Sequence, residues 1–259
     1  IVSNELAKAI PSLDAKSLAS RLCEALSFEL TTAQQRVWTQ IGKDLQASYP
    51  MNRLLQGDVG SGKTIVAALA AAHMVERSYQ VAIMAPTEIL AEQHYLKFKE
   101  WFEPLGASVI WLAGGMKAKE KKQAQESIQS GQAQIVVGTH ALIQDAVHFA
   151  ALGLAVIDEQ HRFGVRQRLE ISQRIGSVTY YCHQLMMSAT PIPRTLAMTY
   201  YADLDVSVID ELPPGRQPIT TKLVKDGRRQ ELIAGLEQWL QKGLQAYWVC
   251  PLIEESEVL

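Results

Sequence analysis

A strong charge of either sign is missing from this 259-residue chain: 25 Lys and Arg stand against 27 Asp and Glu, a formal net charge of −2. The bulk electrostatic signature of a nucleic-acid binder is therefore absent, although a local stripe or backbone amides can still grip phosphates. Cysteine is scarce. Cys23, Cys182 and Cys250 are odd in number, widely spaced and in no C-x-x-C, which argues for a reducing compartment and against a metal site. No apolar run reaches the length of a transmembrane helix and no signal peptide is visible, so a membrane is not an expected partner. Repeats and low-complexity tracts are lacking. What is left, 47% hydrophobic and 20% charged, is a globular composition, long enough for one large domain or two small ones with a useful core. The chain begins at Ile1 rather than Met and stops at Leu259 just after a strand-like run; a fragment is expected.

The most informative stretch present is Gly57-Asp-Val-Gly-Ser-Gly62-Lys63-Thr64, which fits the phosphate-cradling pattern G-x-x-x-x-G-K-[ST]. The apolar pair Leu54-Leu55 precedes it and the Ala-rich run Ile65 to Ala72 follows, so strand, glycine loop and helix come in the required order. Gly57, Gly60 and Gly62, with Asp58 and Ser61 between them, let backbone N–H groups converge on an anion, and the helix start adds partial positive charge. Lys63 can then reach the outer phosphates and the Thr64 hydroxyl can ligate Mg²⁺. The bland alternative is a glycine turn that merely caps a helix.

Further acids and loops are arranged around this cradle. Leu154 to Ile157 runs into Asp158-Glu159-Gln160-His161, a buried strand with an acidic tip: Asp158 is placed to hold Mg²⁺ and Glu159 to polarise an attacking water. Upstream, Thr31 or Thr32 caps a helix carrying Gln34, whose amide has the donor and acceptor needed by the N6/N7 edge of adenine; taken without the glycine loop, an ordinary helix-surface glutamine is the better reading. Other strands are expected at 81–85, 109–112, 135–137, 184–188 and 206–209, each ending in a turn. Lys117, Lys119, Lys121 and Lys122 read as a solvated helix face. Residues 1–27 read as a helical lead-in, 28–210 as the main domain, 211–218 as a Pro-rich linker, and 219–259 as a second piece with strands at 219–224 and 246–250 around a helix. Strands alternating with helices, with chemistry at each strand's carboxyl end, specify an α/β fold with an open parallel sheet.

Jointly, GDVGSGKT, APTEILAEQH (85–94), VVGTHALIQ (136–144), VIDEQHRFGVRQR (156–168) and MSATPIPRTLA (187–197) resemble the superfamily 2 helicases. Within them, DEQHRFGV and SATPIPRT, together with DELPPGRQPI and QAYWVCPLIEESE, are similar to the RecG family of bacterial ATP-dependent DNA helicases, which remodels stalled forks and Holliday junctions. The transcription-repair coupling factors are the nearest alternative, but they usually carry Glu where Gln160 stands. The resemblance implies a RecA-like P-loop NTPase domain with the start of a second RecA-like domain, a catalytic set of Lys63, Asp158 and Glu159, and ATP with Mg²⁺. It also implies that Thr87, Gly115, Thr139 and His140 face a nucleic-acid strand, and that Gln160, His161, Ser188 and Thr190 link ATP state to DNA grip. Branched, single-stranded or duplex DNA is the implied partner of a cytoplasmic, monomeric bacterial protein. The family's arginine finger lies beyond Leu259, so the isolated chain is expected to be poorly active. A nucleotide-gated binding module that never turns over is a different class; its mark would be a lost Lys63 or Glu159, and both are present.

Overall fold

The computed structural model describes residues 17–144, 146–158, 182–190, 204–211 and 219–249. The chain divides into two compact units, Ile1–Pro214 and Gly215–Leu259.

The first unit is built on seven parallel strands: β1 (Asn52–Gly57), β2 (Gln80–Met84), β3 (Val109–Leu112), β4 (Ile135–Gly138), β5 (Leu152–Ile157), β6 (His183–Ser188) and β7 (Asp205–Ile209). They lie in the order β3-β4-β2-β5-β6-β1-β7. Every residue of β2, β4 and β5 is buried, as expected of strands covered on both faces. The period of two sorts their side chains. Val81, Ile83, Ile135, Val137, Leu154 and Val156 enter one core, and Ala82, Met84, Val136, Ala155 and Ile157 the other.

On the first face lie α1 (Leu18–Ala25), α2 (Thr32–Asp44), α3 (Lys63–Glu76) and α4 (Glu88–Phe102); on the second, α5 (Ala118–Gln129) contributes its one buried side chain, Ile128. Helix α3 is buried continuously from Ile65 to Ala72, because it is apolar all round rather than on one stripe. Its small side chains let the backbone sit deep in the core. Arg53 on β1 is buried but paired, with Asp44 at 2.6 Å and the Ser207 hydroxyl at 2.8 Å.

Parallel strands bring all their carboxyl ends to one edge. The turns after β1 (Gly57), β2 (Thr87), β3 (Gly115), β4 (Thr139), β5 (Asp158) and β6 (Ser188) therefore share that edge. At Gly138 the close approach of β3 demands glycine: a Cβ there would sit 2.0 Å from the Leu112 carbonyl oxygen. On the same edge, where the chain leaves β7, Ala33 N–H donates to the Glu211 carboxylate at 2.9 Å, and Arg36 donates to the Asp210 carboxylate and to the Val208 carbonyl at 2.6 and 3.1 Å. These bonds fasten the start of α2 to the chain just past β7.

The second unit departs from the sequence reading. Its helix α6 (Arg229–Gln241) forms after a 3-10 turn at Asp226–Arg228, but residues 219–225 and 244–249 carry no strand. Alternating apolar residues make a strand only when a neighbour completes the ladder and a layer covers the apolar face. Here Ile219, Leu223, Tyr247 and Val249 are all strongly exposed. Cys250, the last residue of the expected second strand, lies outside the described residues. Arg229 stacks over the Trp248 ring at 5.8 Å.

Candidate functional site

Between β1 and α3, Gly60 and Gly62 have φ of 79° and 86°, the left-handed region that suits glycine. Gly62 is the N-cap of α3, so the loop delivers its amides to the positive end of a helix. Lys63 folds back onto the loop, donating to the Gly57 carbonyl at 2.7 Å and the Asp58 carbonyl at 3.1 Å. Asp58 Oδ1 accepts from Val59 N–H at 2.7 Å and the Asp58 carbonyl accepts from Ser61 N–H at 3.0 Å. The Ser61 hydroxyl is buried without a hydrogen-bond partner. Buried polar groups are ordinarily satisfied, so an orphan hydroxyl beside a lysine in a glycine loop fits a site for phosphate oxygens. Thr64 is the second residue of α3, half-buried at the same mouth.

Gln34 is built into this loop more firmly than its sequence role suggests. Thr31 is the N-cap of α2, and Thr31 and Gln34 form a capping box: Thr31 Oγ1 accepts from Gln34 N–H, and Gln34 Oε1 accepts from Thr31 N–H at 2.9 Å. Gln34 Nε2 donates to the Ser61 carbonyl at 2.8 Å, and the residue is only 3% exposed. A cavity of about 520 Å³ is lined by Cys23, Leu26, Phe28, Leu30, Trp38 and Gln35, the residue that follows Gln34.

Across the edge, Asp158 follows β5, its N–H donating to the Met84 carbonyl at 2.8 Å. Its Oδ2 stands 2.7 Å from His94 Nε2. Sequence reasoning gave His94 no role, although it closes the quoted stretch APTEILAEQH and falls in step with Ala91, Phe98 and Phe102 on the buried face of α4. Glu159, Gln160 and His161 lie outside the described residues. Ser188 is fully buried, and its hydroxyl lies 3.1 Å from that of Thr190. The Thr190 carbonyl accepts from Gln56 Nε2 at 3.1 Å, so this turn is tied to the strand that feeds the glycine loop. Gln56 was also missed.

The four expected nucleic-acid positions divide. Thr87, Gly115 and His140 are exposed, whereas Thr139 is 3% exposed. Thr87 also N-caps α4, accepting from Leu90 N–H at 3.4 Å. Among the described residues, no group of three or more His, Cys, Asp and Glu side chains could hold a metal, and no helix is long and apolar enough to cross a membrane.

Comparison with known proteins points the same way. The family described as DEAD/DEAH box helicase matches residues 31–199. The chain is 57% identical over 244 residues to ATP-dependent DNA helicase RecG of Escherichia coli O157:H7, covering 94% of this chain and 35% of that protein. It is 55% identical over 252 residues to RecG of Haemophilus influenzae, covering 97% and 36%. It thus spans about a third of the length of these curated relatives. A solved structure of RecG bound to a three-way DNA junction superposes with a TM-score of 0.80 at 43% identity, over 97% of this chain and 34% of that one. The DEAD-box helicase Mss116, bound to single-stranded RNA and UDP-BeF, shares the fold at 16% identity, with a TM-score of 0.66 over 92% of this chain and 53% of that one.

Proposed function

The chain belongs to the DEAD/DEAH box helicase family, and from that premise we propose that it is the ATP-binding part of a RecG-type motor that remodels branched DNA. The observation that carries this reading is the loop itself: left-handed Gly60 and Gly62, the buried unpaired Ser61 hydroxyl and Lys63 at the start of α3, on the same sheet edge as Asp158. Gly57–Thr64 would hold the phosphates of ATP, with Lys63 turning from its own carbonyls to the outer phosphates. Thr64 and Asp158 would hold Mg²⁺, which neutralises charge on the phosphates. Glu159 would take the proton of the attacking water. Gln34 keeps one Nε2 hydrogen and one Oε1 lone pair beyond its present bonds, the pair that adenine's edge needs, and the half-exposed Phe28 ring, six residues before it, would offer the base an apolar face.

The DNA strand would run over the exposed turns at Thr87, Gly115 and His140, with Thr139 contributing backbone rather than its buried side chain. Such contacts fall on phosphates and carry no sequence information, which suits an enzyme that recognises branch shape. Ser188 and Thr190, with Gln160 and His161, would relay nucleotide state to those turns. The 43% identity to the junction-bound RecG structure supports DNA as the partner. A cytoplasmic, monomeric bacterial protein is part of the same reading. In the complete protein, Glu159→Gln should retain ATP binding and lose most turnover, because an amide cannot act as a base. Phosphate release with branched DNA at the wild-type rate from that variant would remove Glu159 from the mechanism.

A further inference from the structure

Helix α4 packs on the sheet through Ala91, His94, Phe98 and Phe102, an apolar face with one imidazole in it. His94 is 8% exposed, and a buried imidazole needs a partner for its polar nitrogens. Its Nε2 finds the Asp158 carboxylate at 2.7 Å, with both side chains largely hidden from solvent. An ionised carboxylate can only accept, so Nε2 carries the hydrogen and donates it. Asp158 is thus held by its backbone on the Met84 carbonyl and also by its side chain on His94.

We propose that His94 is a positioning residue for the metal-holding carboxylate: by fixing Oδ2 of Asp158 it sets the plane in which that side chain meets Mg²⁺. This rests on the reading of Asp158 given above. Partners behind a metal-holding group fix its orientation, and their loss typically costs 10–100-fold in metal affinity or activity. Packing alone would not require histidine, since a leucine would fill the same face of α4 and remove the Nε2–H that meets Oδ2 of Asp158.

The test is carried out in the complete protein, by comparing His94→Leu with His94→Gln, whose amide nitrogen can stand where Nε2 stands. ATP hydrolysis with saturating branched DNA is followed as Mg²⁺ is varied, and the affinity for fluorescent ADP is measured in EDTA. The expected result for H94L is a roughly 10–100-fold rise in the Mg²⁺ concentration giving half-maximal rate, with metal-free ADP affinity unchanged. H94Q should return the Mg²⁺ requirement to within a few-fold of wild type. The inference is overturned if the Mg²⁺ requirement does not move in H94L, if H94Q and H94L raise it equally, or if metal-free ADP affinity falls in step with it. If H94L does not fold, His94→Asn, whose amide is too short to reach Oδ2, takes its place under the same criteria. Lys63→Ala in parallel separates the two levels: wild-type ADP affinity in that variant would defeat the nucleotide assignment itself, whatever the His94 variants do.

Discussion

Lys63 does not wait in solvent for a phosphate. Its ammonium is already held by the carbonyls of Gly57 and Asp58, so nucleotide binding exchanges two neutral acceptors for charged ones. Lys63→Ala should therefore weaken ADP by about 1.5–3 kcal/mol, roughly one to two orders of magnitude in Kd. A fluorescent-ADP titration of both forms measures it, and equal affinities would disprove the assignment. His73 governs a different property. Burial first, then the charge of Arg77 and then His183, push its pKa from 6.5 down to about 4; burial also lowers that of His183. Between those two pH values the unfolded chain binds a proton that the native protein refuses. The stabilisation is therefore fully present above pH 6.5 and is lost as pH falls towards 4. The urea midpoint should drop between pH 7 and pH 5, and His73→Gln should flatten that drop; an unchanged slope in the variant would exonerate His73.

Strand spacing makes an equally sharp demand at the next scale. Because a Cβ on Gly138 would lie 2.0 Å from the Leu112 carbonyl oxygen, Gly138→Ala must push β3 from β4 or bend the turn that follows. A loss of about 1–3 kcal/mol is expected, as for other overpacked sites, with ADP affinity intact; a urea midpoint equal to wild type would show that the edge strand yields freely. Elements such as β2, β4 and β5 were legible in the sequence because a strand buried on both faces is a short, closed apolar run, and the glycine loop because its motif is local. Contacts that depend on the third dimension were not. His94 and Asp158 stand 64 positions apart, and the tie from Gln34 to the Ser61 carbonyl spans 27; no periodicity encodes either. The strands expected at 219–224 and 246–250 failed for the converse reason. Local alternation was there, but among the described residues neither segment has a neighbouring strand. Thr139, which the resemblance implies faces a nucleic-acid strand, precedes the 3-10 segment His140–Ile143 with its side chain buried, a detail its motif does not carry.

At the largest scale, this chain carries a formal net charge of −2 and so offers no net positive charge to draw DNA at long range. On the proposed reading, binding would come from a few contacts at the turns along the sheet edge, each displacing counterions. The complete protein should accordingly bind branched DNA with an affinity that falls linearly in log salt, with a slope of about 0.7–0.9 per phosphate contacted, and with no preference among base sequences on a fixed branch. An isotherm indifferent to salt would exclude phosphate contacts as the source of affinity. The bonds at the start of α2 add a mechanical property to this chemistry. Glu211 grips Ala33 at 2.9 Å, and the next residue, Gln34, grips the Ser61 carbonyl at 2.8 Å. A pull on the backbone at Glu211 is therefore delivered to one turn of helix and from there to the phosphate loop. That path is two hydrogen bonds long and runs beside the covalent link from Glu211 to β7, so tension at the end of the first unit reaches the place where the phosphates would lie through a helix turn as well as through the sheet.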